Sequence, residues 1–290
     1  MPLSDAELWP LLLAVAHAPA RAPAGSTLRQ TTAGLGLHAE HGWQLQGPWD
    51  AAARELFALF KPCIDARRRG GGWVIGQLGQ SLDGCVATRN GDSCFVNGPE
   101  TLTHLHRLRA LSDAVLVGAG TAASDNPRLT TRHVSGPSPV RVLLDPTLRL
   151  RSVLSTAHVF NDGQAPTLWL CDARWRDEAQ ALAGASRVLA VPGLLDEGGV
   201  PRPPQAVAAL RARGLTHLFV EGGGVTVSRF LAQRCLDRLH LAVAPLLIGD
   251  GRPGLRFAGA DRLADCPRPP CQVYRLGNDL LWDVDLRGPA

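Results

Sequence analysis

Residues 216–228 read THLFVEGGGVTVS, an apolar run that ends in three glycines. The run through Val220 predicts a buried β-strand, and residues 225–234 predict a helix that begins directly after the glycines. Backbone N–H groups in such a turn can approach an anion closely, and the helix N-terminus adds partial positive charge. The spacing therefore indicates a phosphate site, although a tight turn that only needs positive φ would look the same. It is not a G-x-G-x-x-G fingerprint, because the third glycine comes too early.

The same alternation of strand and helix continues on both sides of this unit. A helix is predicted to start near Pro99 and another to span 204–213, and a β-hairpin is predicted at 273–276 and 280–285. Strands alternating with helices, followed by an antiparallel finish, predict an α/β domain with a mixed sheet. Further strands are predicted at 73–78 and 237–244, and apolar runs predict strands buried as in parallel sheets at 113–118, 140–144, 167–171 and 188–191.

The first seventy residues differ from the rest of the chain. Ser4-Asp5-Ala6-Glu7 predicts a capping box that opens a helix over 4–17, and a second helical stretch is predicted at 48–60. The glycines at 70–72 predict a hinge or linker. We therefore divide the chain into a partly helical N-terminal extension, 1–70, without assigned chemistry, and a main domain, 71–290.

The extension carries part of a zinc-site pattern, since zinc deaminases use H-x-E followed by P-C-x-x-C. His38 and Glu40 match the first half and Pro62-Cys63 the second, but Ala66 stands where the third ligand is needed. The pattern is interpreted as a coincidence or a decayed remnant, and no metal is expected.

Composition limits the function classes further. The 290 residues carry 30 basic and 26 acidic side chains without a basic block, which argues against a nucleic-acid partner. Lys61 is the only lysine, so any anionic ligand is expected to meet arginine, which binds phosphate through two N–H groups. The seven cysteines are odd in number and scattered, no C-x-x-C pair occurs, and no apolar run reaches the ~20 residues of a membrane span. We expect a cytoplasmic location without membrane attachment.

Two further turns could line one crevice with the glycines at 222–224. Gly118-Ala119-Gly120-Thr121 follows a predicted strand and leads to Asp125, and residues 81–84 with 91–95 place small polar side chains after the first strand of the main domain. Open α/β sheets bind ligands at such strand ends. Each turn alone is equally consistent with an ordinary connection, and residues 81–84 alone indicate a hairpin.

Taken together, several segments resemble the reductase domain of the bifunctional riboflavin-biosynthesis deaminase/reductase family, whose fold is dihydrofolate-reductase-like. The resemblance covers residues 72–287 and implies a mixed, mostly parallel sheet flanked by helices. The segments stand in family order: 79–84 (GQSLDG), 91–93 (GDS), 108–110 (LRA), 113–121 (DAVLVGAGT), 125–132 (DNPRLTTR), 220–223 (VEGG), 236–237 (LD) and 244–249 (APLLIG).

The resemblance implies an NADPH-dependent reductase of 5-amino-6-(5-phosphoribosylamino)uracil, with hydride transfer to the ring-opened ribosyl imine. Glu221 and Asp125 are the candidate catalytic residues. The residues implied to contact NADPH are Gly79, Phe95, Gly118, Gly120, Thr121, Asp125, Gly222, Gly223, Gly224, Val225, Thr226, Val227, Ser228 and Arg229. Those implied to contact the substrate are Gln77, Ser93, Arg109, Leu129, Arg132 and Glu221.

Two positions depart from the family pattern. Gln77 stands where the family usually has lysine, and Phe95 replaces what is often tryptophan. Two alternatives therefore stay open, an NADPH-dependent dihydropterin-type reductase on the same fold and a non-catalytic nucleotide-binding module. We also expect a homodimer, with 236–248 and the terminal hairpin as candidate surfaces.

Overall fold

The computed structural model describes residues 2–18, 34–38, 40–94 and 96–288. The chain forms two compact units, Met1–Trp73 and Val74–Ala290. This division falls close to the predicted boundary after residue 70. Each unit is described by itself below.

Unit 1 contains two helices and a small antiparallel hairpin. The elements are α1 (Asp5–Ala16), β1 (Leu35–His38), β2 (Gly42–Leu45) and α2 (Ala51–Arg68). The capping box at Ser4 and Glu7 is present, and the Trp9 and Phe60 rings lie 5.9 Å apart between the helices. The predicted end of the second helix at residue 60 is wrong. Pro62 stays inside α2, because the following turn buries apolar side chains such as Ile64.

Unit 2 is built on a nine-stranded sheet in the part of the chain that the structure describes. The strands of unit 2 are β3 (Trp73–Ser81), β4 (Cys85–Ala87), β5 (Ala114–Gly118), β6 (Val140–Leu144), β7 (Thr167–Asp172), β8 (Val188–Val191), β9 (His217–Glu221), β10 (Arg238–Ala244), β11 (Arg252–Pro253), β12 (Cys271–Leu276) and β13 (Asp279–Asp285). The helices are α3 (Pro99–Leu111), α4 (Ala119–Asp125), α5 (His158–Asn161), α6 (Arg176–Ala183), α7 (Pro203–Arg211) and α8 (Gly224–Ala232).

The strand order is β12-β13-β10-β3-β9-β5-β6-β7-β8. β10 lies parallel to β3, and β9, β5, β6, β7 and β8 pair in parallel along the other half. β13 and β12 are antiparallel additions at one edge. The predicted mixed, mostly parallel sheet with a terminal hairpin is therefore confirmed. β4 pairs with β11 and not with β3, so the residues 81–84 connect two sheets instead of closing a hairpin.

One sheet face carries the apolar core, in which Val74, Leu116 and Val220 pack with Val227 and Phe230 of α8. These side chains come from the runs that the sequence predicts as buried strands. Parallel strands covered by helices read as continuous apolar stretches, since neither face meets water. The packed core holds the strands in place, and a cavity opens at their carboxyl ends.

A buried polar cluster joins α3 to the antiparallel edge. His104 Nε2 lies 2.9 Å from His240 Nδ1, and Arg238 donates to both carboxylate oxygens of Asp283, at 2.8 and 2.5 Å. Burial lowers the pKa of both His104 and His240, so both rings are neutral near pH 7. Asp279 accepts hydrogen bonds from the Gly98 N–H and the Thr101 hydroxyl, which holds the start of α3 against β13.

Candidate functional site

A cavity of ≈ 1440 Å³ opens in unit 2 at the carboxyl ends of the parallel strands. The turns after β5, β6 and β9 line it through residues that include Gly118, Asp145 and Gly222. Ligand clefts of α/β sheets lie at this edge, and the volume exceeds the upper end of the usual range for a small-molecule site, about 1,000 Å³. The cavity therefore has room for two ligands side by side.

The two glycine turns predicted from the sequence meet in this cavity. The Gly223 N–H donates to Thr121 Oγ1 at 3.1 Å, which ties the turn after β9 to helix α4. Gly222 has φ +116°, and a Cβ there would lie 3.2 Å from the same Thr121 oxygen. A Cβ at Gly224 would overlap the carbonyl oxygen of Gly254. Glycine is required here because backbone packs directly on backbone.

The start of α8 offers N–H groups to the cavity. Gly223 is its N-cap, and the first turn of a helix leaves its N–H groups without intrahelical acceptors. Gly224 and Val225 line the cavity, as does Thr226, whose N–H already donates to the Gly223 carbonyl at 3.1 Å. Helix N-termini bind phosphate through these groups and the helix dipole. The turn therefore fits the pyrophosphate of a dinucleotide, and at Gly224 the packing leaves no room for a side chain.

Arg109 and Glu221 form a buried, bidentate ion pair beside the glycine turn. Arg109 Nε donates to Glu221 Oε2 at 2.9 Å and Nη2 donates to Oε1 at 2.5 Å. Arg109 Nη1 donates to the Thr130 carbonyl at 2.9 Å. The side chains of Arg109 and Glu221 are only 6% and 13% exposed. Both carboxylate oxygens of Glu221 are thus held in one orientation. The pair joins the end of α3 to the end of β9.

Positive charge accumulates around this pair. Burial, with the charges of Arg109 and Arg132, lowers the pKa of His106 to about 3, so its ring is neutral. His106 Nδ1 accepts the Arg132 N–H at 2.9 Å, and the Arg132 guanidinium donates to Thr130 Oγ1 at 2.8 Å. Burial and the charge of Arg109 lower the pKa of Arg132. An incoming anion would relieve this repulsion between cations.

The cavity itself is lined by cationic and polar side chains. The guanidinium groups of Arg149, Arg229 and Arg252 have no ion pair within the described ranges. Gln77 is 4% exposed, and its Oε1 has no hydrogen-bond partner among the residues that the structure describes. Ser93 also lines the wall. Arg149 and Arg252 are not among the residues singled out from the sequence, and the only signal for Arg149 was a cation shortly after a buried strand.

The structure brings many of the predicted site residues together and keeps others apart. Phe95 lies outside the described residues. Arg109, Leu129, Arg132 and Glu221 are not among the residues that line the cavity, although Glu221 directly precedes its glycine turn. Val227 and Ser228 are buried in α8, where Ser228 accepts the Arg256 N–H. The predicted residues that line the cavity are Gln77, Gly79, Ser93, Gly118, Gly120, Thr121, Asp125, Gly222, Gly223, Gly224, Val225, Thr226 and Arg229.

The zinc-like pattern of unit 1 shows no cluster of ligands. His38 Nδ1 accepts the N–H groups of Glu40 and His41, both at 3.3 Å, while Cys63 is buried within α2. Across the described ranges, no group of three or more His, Cys, Asp or Glu side chains could hold a metal ion. In the same ranges, no helix is long and apolar enough to cross a membrane.

Comparison with known proteins gives the family. The RibD C-terminal domain matches residues 72–264. The riboflavin biosynthesis protein RibD of Bacillus amyloliquefaciens is 34% identical over 79% of this chain, and the chain spans 60% of that relative. The 2,5-diamino-6-ribosylamino-4(3H)-pyrimidinone 5′-phosphate reductase of Methanothermobacter thermautotrophicus is 30% identical over 74% of this chain and is covered over 99% of its length.

Solved structures give the fold. The deaminase/5-amino-6-(5-phosphoribosylamino)uracil reductase of Thermotoga maritima superposes with a TM-score of 0.57 at 23% identity, over 80% of this chain and 62% of that one. The Saccharomyces cerevisiae riboflavin biosynthesis reductase Rib7 superposes with a TM-score of 0.58 at 20% identity, over 74% of this chain and 90% of that one. The sheet is thus the dihydrofolate-reductase-like sheet that the sequence predicts, and the chain belongs to the RibD C-terminal domain family.

Proposed function

We propose that this chain is an NADPH-dependent reductase of riboflavin biosynthesis that acts on 5-amino-6-(5-phosphoribosylamino)uracil. One observation carries the proposal. A single cavity at the carboxyl ends of the parallel strands is lined by both glycine turns and by unpaired arginines, within the region matched by the family. The names of the relatives support the reaction class, since they include a pyrimidinone phosphate reductase and RibD proteins.

In this proposal the glycine turns hold the cofactor. Gly224 and Val225 present the N–H groups of the α8 start, Gly118, Gly120 and Gly222 line the same cavity, and Thr121 locks the two turns together. Bound NADPH supplies a hydride, which with one proton converts the C=N bond of the imine to an amine. The chain's part is to align the two ligands and exclude water.

The substrate side is assigned to the wall next to the Arg109–Glu221 pair. Arg109 orients the Glu221 carboxylate, and Glu221 and Asp125 are the proposed catalytic carboxylates. The cationic cluster of Arg109, Arg128 and Arg132 supports a site for the substrate phosphate, because an anion there would offset the repulsion that lowers the pKa of Arg132. Gln77 offers an unpartnered oxygen to a ring N–H of the pyrimidine.

A second candidate substrate is the 2,5-diaminopyrimidinone phosphate. The relative from Methanothermobacter thermautotrophicus carries that name and is covered over 99% of its length, so the match includes a complete reductase of that type. The two substrates differ at one ring position, where one carries an exocyclic amine and the other a carbonyl oxygen. Gln77 carries both a donor and an acceptor and can hydrogen-bond either group.

The test is NADPH oxidation by the purified chain with each pyrimidine phosphate, with a dihydropterin as the third substrate. Turnover of the uracil compound supports the proposal, and turnover of only the diamino compound assigns the chain to the second candidate. Turnover of the dihydropterin alone would make it a pterin reductase. Tight NADPH binding without turnover of any substrate would make it a nucleotide-binding module.

We further propose a cytoplasmic homodimer. The scattered, odd-numbered cysteines suit a reducing compartment. Val273 and Trp282 are cross-strand partners on the terminal hairpin and are 48% and 40% exposed, and Leu280 adds to this apolar face. Exposed apolar patches of this kind commonly mark interfaces. A monomer mass by light scattering at micromolar concentration would contradict the dimer.

A further inference from the structure

We propose that Gln77 contacts the pyrimidine at the ring position where the uracil and the diaminopyrimidinone differ, and that its amide turns to suit either group, so that the chain reduces both compounds. The inference rests on the proposed function, because it assumes that the cavity takes a pyrimidine phosphate. It makes Gln77 the residue that sets which exocyclic groups are accepted. Three features of Gln77 support it: its burial in the cavity wall, its unfixed amide and the neighbour that it meets on β10.

Gln77 interrupts an apolar stretch of β3. The residue lies between Gly76 and Leu78, is only 4% exposed and lines the cavity. A polar side chain in such a place has lost most of its contact with water. Its amide therefore depends on a protein group or on a ligand for hydrogen bonds.

Neither end of the Gln77 amide is held by the protein. Oε1 is buried without a hydrogen-bond partner, and no hydrogen bond joins Nε2 to any residue within the described ranges. Since buried amides normally make such bonds, we assign the missing partner to the ligand. The two ends of an amide are alike in shape, and a half-turn exchanges the donor and the acceptor. Here that exchange breaks no hydrogen bond to the protein.

The neighbour of Gln77 on β10 does not select one orientation. His240 is its register partner, and register partners in a sheet place their side chains on the same face. His240 Nδ1 lies 2.9 Å from His104 Nε2, and His240 Nε2 lies 3.2 Å from Asp283 Oδ1. Both ring nitrogens thus face other groups. Burial lowers the pKa of His240, so its ring brings no charge that would favour one end of the amide.

The two pyrimidines need opposite partners at the position where they differ. The carbonyl oxygen of the uracil accepts a hydrogen bond, which Nε2 can donate, whereas the amine of the diamino compound donates one, which Oε1 can accept. A side chain of a single kind would leave one compound with an unpaired buried group and reject it. Because Gln77 avoids this loss for both, we expect their kcat/KM values to lie within about tenfold of each other.

The experiment measures kcat/KM for both pyrimidine phosphates at pH 8 and saturating NADPH, in the wild type, Gln77→Glu, Gln77→Lys and Gln77→Met. An ionised glutamate only accepts hydrogen bonds and a lysine only donates them. Gln77→Glu should therefore shift the ratio of the two kcat/KM values toward the diamino compound, and Gln77→Lys toward the uracil, each by at least about tenfold. Gln77→Met should lower both values and leave their ratio within about threefold.

Gln80→Glu and Gln80→Lys are the matched controls. Gln80 lies three residues further along β3, hence on its opposite face, and is not among the residues that line the cavity. These variants introduce the same charges and should leave the ratio unchanged. Both substrates carry the same phosphate, so the ratio also cancels any general effect of charge on phosphate binding.

Inhibition by the two ribitylamino products gives a second readout that does not depend on hydride transfer. It should show the same opposite shifts, while thermal melting shows that each variant is folded. Shifts in one direction only, an unchanged ratio in both charged variants, or wild-type kcat/KM values that differ by more than about tenfold would overturn the inference and leave the reductase proposal standing.

The methionine variant decides the question if the charged variants do not fold. Loss of kcat/KM for both compounds in Gln77→Met would then support the inference, and unchanged values would overturn it. A wild type that reduces neither pyrimidine would overturn the inference and the proposed function together.

Discussion

The substitution Glu221→Gln tests the buried ion pair on which the site geometry depends. The change keeps the shape of the side chain but removes its charge and points an amide NH₂ at one of the two Arg109 donors. Arg109 then keeps the Thr130 carbonyl as its remaining strong acceptor, in a place where its side chain is only 6% exposed. A buried charge that loses its partner costs about 3–5 kcal/mol, and the retained amide oxygen reduces this to about 2–4 kcal/mol.

The assay is thermal and urea unfolding followed by circular dichroism. For a unit of this size each kcal/mol corresponds to about 2–4 °C, so the melting temperature should fall by about 5–15 °C. The matched control is Glu178→Gln, which breaks the exposed pair with Arg151 and should cost less than about 1 kcal/mol.

A double-mutant cycle with Arg109→Met separates the pair from its surroundings. Each single variant leaves one buried group unpaired, whereas the double variant leaves neither charge behind. We expect the double variant to lose at least about 1.5 kcal/mol less than the sum of the single losses. Losses that add within about 0.5 kcal/mol would refute the ion pair as the element that orients Glu221.

Three further changes test other parts of the account. Gly224→Ala should lower the melting temperature and abolish NADPH binding, since the new Cβ would overlap the Gly254 carbonyl. Gly120→Ala should be as stable as the wild type, because the space at its Cβ is open. Equal stability of the two variants would contradict the packing of the glycine turn. Arg132→Ala should raise the KM for the pyrimidine phosphate at least tenfold while the NADPH dissociation constant stays within about twofold, and equal losses for both ligands would remove Arg132 from the phosphate site. The pKa of His106 is about 6.5 in the unfolded chain and about 3 in the folded protein, so the free energy of unfolding should fall as the pH drops from 6.5 toward 3. This fall should be less steep in His106→Asn. Equal pH dependence of the two proteins in urea titrations would exclude His106 as a contributor.

The sequence predicts the strands well because their burial leaves continuous apolar runs. β5, β6 and β8 lie within a residue of the predicted ranges, and the capping box at Ser4 marks the start of α1 correctly. Prediction fails where tertiary packing decides. The second helix runs past Pro62 because its far turn is buried, and the hairpin of β1 and β2 was not predicted from its short polar-flanked sequence.

The candidate site shows the same division. Glycine turns are visible in the sequence because close backbone packing requires that residue type. The pairing of Arg109 with Glu221 is not visible, since 112 positions separate the two and either could have faced a ligand alone. Arg149 lines the cavity but is not singled out by the sequence, because no local pattern distinguishes it from Arg151, which pairs on the surface.

The most direct test of the central claim follows the hydride itself. The chain is incubated with 5-amino-6-(5-phosphoribosylamino)uracil and NADPH that carries deuterium at the transferable position of nicotinamide C4, and the product is examined by NMR and mass spectrometry. We expect one deuterium at C1′ of a ribitylamino product. Unlabelled product, deuterium at another carbon, or recovery of unchanged substrate would contradict it.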